Sequence, residues 1–122
     1  MTTSMDQEPE PIYYFNTIQG EVKRVALQTL EAVLKDKTYH PVEAPTWVHD
    51  ITHSCLHSLK NLAEGAAGFK FIVNVTILQK KNGGFHTNTS CFWNAETDGH
   101  VAVRYESSTI LALCSIYAIS LL

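Results

Sequence analysis

The sequence predicts an α+β domain in which two N-terminal helices pack on a four-stranded antiparallel sheet. Apolar residues recur about every 3.6 positions in the first half of the chain and every second position from Phe69 onward, which indicates helices followed by strands. Short turn patterns, Asn82-Gly83-Gly84 and Thr97-Asp98-Gly99, separate the later segments and favour antiparallel neighbours. A chain of 122 residues has room for one such domain.

Both predicted helices have one apolar face that would pack on the sheet. Helix one is predicted to begin near Asn16, which has the spacing of a capping box with Gln19. Helix two is predicted from Pro45 or Thr46 to Ala63. The apolar faces consist of Ile18, Val22, Val25, Thr29 and Val33 in the first helix, and of Val48, Ile51, Cys55, Leu59 and Leu62 in the second.

The four predicted strands differ in polarity. The first begins at Phe69, the third covers about His100–Glu106, and the fourth covers about Thr109–Leu121. The fourth strand is nearly all apolar, so we expect it in the centre of the sheet. The second, Phe85–Trp93, mixes threonines and other polar residues with aromatic ones, which is typical of an interface strand. An open edge of such a sheet must be protected or paired with another chain.

Charge and composition exclude several classes of function. The chain has nine basic and twelve acidic residues, and three of the acids lie in the first ten positions. Residues 1–14 are therefore predicted to be an acidic flexible tail, and residues 15–122 to be the domain. The neutral remainder argues against nucleic acid as a partner. The N-terminus lacks a signal-peptide pattern and the longest apolar stretch is too short to span a bilayer, so we expect a cytosolic protein without membrane insertion.

Two groups of residues leave an enzymatic alternative open. His49, His53 and His57 share one face of helix two, and histidines one turn apart can bind zinc. Cys91 could act as a nucleophile if a base lay beside it. The simpler interpretation is a solvated histidine face and three free, buried cysteines, since no CxxC spacing occurs. We therefore expect no catalysis, no metal and no cofactor, with a small thiol- or metal-dependent enzyme as the alternative.

Three segments carry a family resemblance. They are Phe69–Lys80, then Gly84–Trp93 with its His86-Thr87 and Phe92-Trp93 pairs, then Thr97-Asp98-Gly99 followed by Val101, Val103, Arg104 and Tyr105. In this order they resemble the Tctex-type dynein light chains. Asn94 stands where that family usually has Asp, Tyr105 stands where Trp is common, and the Glu64–Gly68 connection is longer than usual. These departures leave the particular dynein undecided.

The resemblance implies a non-catalytic motor subunit that works as a dimer, either with itself or with a paralogous Tctex-type light chain. It implies that the second strand is exchanged between protomers and that an extended segment of the dynein intermediate chain pairs with it, alongside possible cargo proteins. It also implies a place in the cytoplasm on the cytoskeleton, or in a cilium or flagellum axoneme. The residues expected to form the dimer and peptide-binding strand are Phe85, His86, Thr87, Asn88, Thr89, Ser90, Cys91, Phe92 and Trp93.

Overall fold

Two helices pack on one face of an antiparallel sheet, which confirms the α+β class. A computed structural model describes residues 12–62, 67–81 and 83–121. After a short 3₁₀ turn at Phe15–Thr17, the elements in chain order are α1 at Gln19–Leu34, α2 at Ala44–Lys60, β1 at Phe69–Gln79, β2 at Gly99–Glu106 and β3 at Ile110–Ser120. The predicted tail falls mostly on residues 1–11, which lie outside the described residues, so the tail stays a prediction.

The described sheet has the strand order β1-β3-β2. The last strand is central, as its apolar sequence predicts, and pairs with β1 from Phe69↔Ser120 to Gln79↔Ile110. It pairs with β2 from Gly99↔Ala118 to Glu106↔Leu111. Within the described residues the sheet thus has three strands where the sequence predicts four, because residues 85–93 do not join it. Those residues instead return the chain from the Gln79 end of β1 to the Gly99 end of β2, which lies beyond β3.

The core lies between the helices and the inner face of β3. The inward side chains of β3 are fully buried, and Ile51, Cys55 and Leu59 of α2 are fully buried too. The predicted face of α1 is buried except for Val33, which is half-buried. In α2, Trp47 is buried although the predicted face omitted it, and Val48 is only partly buried. Leu62, which the prediction assigned to the same face, follows the end of the helix and is also partly buried. The opposite face of β3 is half-buried, so only one side of this central strand is sealed by the chain itself.

The predicted capping box at Asn16 does not form. α1 begins at Gln19 and no side chain caps it. The preceding residues are instead tied to the sheet, since the Phe15 N–H donates to the Thr97 carbonyl at 2.9 Å. The rings of Tyr13 and Phe15 pack edge-on against Phe69, with centroids 6.1 and 6.4 Å away. This tertiary anchor fixes a 3₁₀ turn where the sequence predicts the first turn of the α-helix.

Within the described ranges, no helix is long and apolar enough to cross a membrane. The α2 helix ends at Lys60 and not at Ala63, which is outside the described residues. The Asn61 side chain caps this end by donating to the His57 carbonyl at 2.9 Å.

Candidate dimer and peptide interface

The residues predicted to pair with another chain form an extended segment outside the sheet. We call residues 84–93 the connecting segment. Every residue from Gly84 to Phe92 is exposed, and Trp93 is half-buried. Among the described residues, none in this segment forms a backbone–backbone hydrogen bond. Its N–H and C=O groups are therefore left to solvent, which is the condition that strand addition from another chain would relieve.

Odd-numbered residues of the connecting segment lie towards the sheet. Phe85 shares a cavity of about 170 Å³ with Leu78 and Leu111. Thr87 and Thr89 line a cavity of about 120 Å³ with Asn74, Ser115 and other outward residues of β1 and β3. The Trp93 ring centroid is 6.3 Å from that of Tyr117. The sequence left open whether odd or even positions would face this groove, and in the single chain the odd positions do.

The sheet face under the connecting segment is only partly covered. Cavities remain beneath the segment, and the outward Ile72 side chain of β1 is 53 % exposed. Phe92 is fully exposed, and Phe85 is 47 % exposed. Large apolar side chains that stay this open on neighbouring elements mark an interaction surface more often than a finished core. Because β3 is central, β1 and β2 are the edges of the described sheet, and each can accept a further strand.

A charged cluster lies at the Glu106 end of the sheet. Arg104 donates to Glu106 at 2.9 Å, and the Lys80 ammonium is 3.5 Å from the same carboxylate. The hydrogen bond and charge of Arg104, with a smaller contribution from Lys80, lower the pKa of Glu106 below its ordinary value. All three side chains are exposed, so these pairs orient the ends of β1 and β2 more than they stabilise the fold.

Cys91 is exposed, so the expectation that all three cysteines are buried is wrong for this residue. Its cavity is lined by Ile72, Asn74, Thr89 and Tyr117, and no His, Asp, Glu or Lys is among the described residues that line it. A thiol in such surroundings lacks the partner that would activate it as a nucleophile.

Cys55 and Cys114 are free and buried as expected, and they meet in the middle of the core. A hydrogen bond from Cys114 lowers the pKa of Cys55 to about 7, although burial opposes the change. The same hydrogen bond, together with burial, raises the pKa of Cys114. The thiol pair joins α2 to β3 within the buried core.

The three histidines of α2 form a solvated face. His49, His53 and His57 are all exposed. The rings of His49 and His53 are tilted by 31° with centroids 3.8 Å apart, and the Nδ1 atom of His53 is 3.0 Å from the His49 carbonyl oxygen. Among the described residues, no group of three or more His, Cys, Asp or Glu side chains is arranged to hold a metal ion. The histidine face therefore has a structural explanation as the solvent side of an amphipathic helix.

Comparison with known proteins identifies the family. The model of the Tctex-1 family matches residues 16–119. The chain belongs to the Tctex-1 family. Among similar curated proteins, a Dynein light chain Tctex-type of Dictyostelium discoideum is 30 % identical over 118 residues, covering 96 % of each chain. The Dynein light chain Tctex-type of Drosophila melanogaster is 28 % identical and covers 84 % of this chain and 90 % of its own.

A Tctex-1 relative in Homo sapiens, Dynein light chain Tctex-type 3, is 30 % identical over 101 residues, covering 83 % of this chain and 84 % of its own. Dynein light chains are components of a motor and not enzymes, so this chain belongs to a non-catalytic family. The family resemblance found in the sequence is thereby confirmed.

Two parts of the interface were not identified from the sequence. Tyr117 forms the floor beneath Trp93 and stacks on His100 with ring centroids 5.3 Å apart. Asp98 was recognised only as part of a turn, yet its carboxylate accepts hydrogen bonds from two separate elements. The outward position of Tyr117 in an alternating strand is visible in the sequence, whereas the contacts of Asp98 depend on how the strands pair.

Proposed function

We propose that this Tctex-1 family chain is a non-catalytic light chain of a dynein motor, which dimerises and binds an extended segment of the dynein intermediate chain. In the proposed dimer the connecting segment of each protomer pairs with a sheet edge of the other. The intermediate-chain segment then adds to the free side of the exchanged strand, so one dimer holds two such segments.

The observation that carries the proposal is the state of the connecting segment. Nine consecutive residues, Gly84 to Phe92, are exposed, and the segment forms no backbone hydrogen bonds within the described chain. Thr87 and Thr89 favour strand geometry. Pairing would satisfy these backbone groups, and it would also cover Phe85 and the exposed Ile72 of the sheet face beneath.

Peptide binding follows from the same geometry. In an extended strand, successive N–H groups point to opposite sides, so an exchanged segment that pairs with one neighbour still offers a second row of donors. A bound peptide would use that row for affinity, and pockets along the strand would select its side chains. Two such sites in one dimer would bind two linked segments with increased overall affinity.

The wider role is that of an assembly and cargo-attachment subunit on the cytoskeleton. A homodimer and a heterodimer with a paralogous Tctex-type chain both satisfy the geometry, since both supply a sheet edge and an exchanged strand. The proposal applies equally to a cytoplasmic and to an axonemal motor, because the features that support pairing do not depend on which motor contains the chain.

Sedimentation velocity of the purified protein, alone and with a disordered intermediate-chain peptide, tests the proposal. We expect a dimer that binds two peptides. The control is the same peptide with proline at alternate positions, which removes backbone donors and should abolish binding. A monomer that binds neither peptide, and that still binds neither after a paralogous Tctex-type chain is added, would contradict the proposed function.

A further inference from the structure

The two ends of the connecting segment are held very differently. At its start, the Gly83 N–H donates to the nearby Lys81 carbonyl at 2.8 Å. A side chain placed on Gly83 or Gly84 would meet nothing within 4 Å, and glycine restricts the backbone least of all residues. At its other end the segment runs directly into the Asn94–Asp98 turn, which is hydrogen-bonded to the N-terminal 3₁₀ turn and to the end of β3.

Asp98 is the centre of that turn. One carboxylate oxygen accepts the Asn94 N–H at 2.9 Å, and the other accepts the Ser120 N–H at 2.7 Å. The pairing of β2 with β3 ends at Gly99↔Ala118. Ser120 lies two residues after Ala118, so its N–H points to the same edge of β3 as the Ala118 N–H. Because β2 begins at Gly99, no β2 carbonyl lies opposite Ser120, and the Asp98 carboxylate accepts this hydrogen bond in its place. Asp98 therefore joins the residue after Trp93 to the end of the central strand.

Further contacts keep this turn in one conformation. The Asp98 N–H donates to the Asn94 carbonyl at 2.8 Å, and the Glu96 N–H donates to the Asn94 side-chain oxygen at 3.0 Å. The Thr97 carbonyl accepts the Phe15 N–H, which ties the turn to the N-terminal 3₁₀ turn. The connecting segment thus has a base at Asn94 that several hydrogen bonds hold, whereas its other end begins next to two glycines without neighbours.

We propose that Asp98 is a positioning residue for strand exchange, because its carboxylate fixes the direction in which the connecting segment leaves the fold. This inference rests on the proposed function. An extended segment of ten residues is roughly 33 Å long, and a swing of about 20° at its base moves the far end by about 11 Å. Paired strands lie about 4.8 Å apart, so such a swing prevents pairing along most of the segment.

Asp98→Ala tests the role, and Glu96→Ala is the matched control. Both remove one negative charge from the same turn, but no other residue in the described part of the chain bonds to the Glu96 carboxylate. We expect Asp98→Ala to raise the dissociation constant of the dimer at least tenfold and Glu96→Ala to leave it unchanged within twofold. Sedimentation equilibrium gives the dissociation constants. Thermal unfolding at protein concentrations below the dissociation constant shows whether the monomer of each variant remains folded.

The outcomes separate the two proposals. If the wild type is a dimer and Asp98→Ala and Glu96→Ala both have its dissociation constant, the positioning role alone is overturned. A wild type that remains monomeric at every concentration, with and without a paralogue, overturns the proposed function and this inference together. If Asp98→Ala does not fold, Asp98→Asn keeps one acceptor oxygen and should give an intermediate constant; a value equal to wild type would refute the role of the carboxylate.

Discussion

Thr89→Pro and Ser90→Pro remove backbone N–H donors from adjacent positions of the connecting segment. In a strand these two donors point to opposite sides, one towards the exchanged-strand partner and one towards the proposed peptide. The segment makes no backbone hydrogen bond within the described chain, so neither proline removes a bond from the monomer. We expect the thermal stability of the monomer to change by less than about 0.5 kcal/mol in both variants.

The magnitudes follow from counting the bonds that each proline removes. Leaving one carbonyl unpaired in a formed ladder costs about 1–3 kcal/mol. The two-fold dimer contains two connecting segments, so the variant whose lost donor faces the partner should lose about 2–6 kcal/mol, or roughly 30-fold to 20,000-fold in the dimer dissociation constant. The other variant should remain dimeric, since proline is tolerated on an edge strand, and should bind peptide roughly 5-fold to 150-fold more weakly.

The assay is sedimentation equilibrium for the dimer and fluorescence anisotropy of a labelled intermediate-chain peptide for binding. Thr89→Val and Ser90→Thr are the controls, because they keep the N–H donors and favour strand geometry. The reasoning requires one proline variant to lose the dimer and the other to lose only the peptide. If both prolines leave the dimer and its peptide affinity intact, the connecting segment is not the pairing strand.

Three further predictions concern the fold that supports the segment. Gly99→Ala should lower the free energy of unfolding, measured in urea, by about 1–3 kcal/mol, because a Cβ there would collide with the Phe15 ring. Gly20→Ala is the control and should be neutral or slightly stabilising, because the space around Gly20 is open. In a monomeric proline variant, a thiol reagent should modify Cys91 alone until denaturant exposes the other two cysteines, and Cys91→Ser should abolish the native reaction. NMR titration should give Glu106 a pKa below its ordinary value, and this pKa should rise again in Arg104→Gln. The small stabilising effect of Glu106 is therefore present above the ordinary pKa and is lost as the pH falls through the lowered one.

The elements of the fold could be predicted from the sequence where the periodicity is strong. The near-continuous apolar run of β3 correctly predicted a central strand, and the alternation from Phe69 gave the start of β1. The helix start at Asn16 was wrong because a hydrogen bond from Phe15 to Thr97, distant in sequence, overrides the local capping preference. Local patterns do not contain such contacts, so a turn anchored by tertiary structure is beyond what they can predict.

The candidate interface could be predicted only in part. Polar and aromatic residues in Phe85–Trp93 indicated a strand for pairing, and this segment is indeed exposed and unpaired in the described chain. The residue patterns placed it in the chain's own four-stranded sheet, whereas the family resemblance implied exchange between protomers, because a local pattern specifies a strand without stating which molecule supplies the neighbour. Asp98 was missed for a related reason, since its partner Ser120 lies 22 residues away and faces it only after β2 and β3 pair.

The incomplete burial of the sheet gives a physical reason for association. A sheet has two faces, and here the helices cover only one, with fully buried side chains such as Ile110 and Ile116. The other face presents Ile72, Leu113 and Tyr117 beneath a segment that leaves cavities of about 120 and 290 Å³. Closer packing by the segment alone would still leave its own backbone groups unsatisfied. A second copy that supplies a strand edge would cover this face and satisfy the backbone together, so the same event would complete both the core and the binding surface.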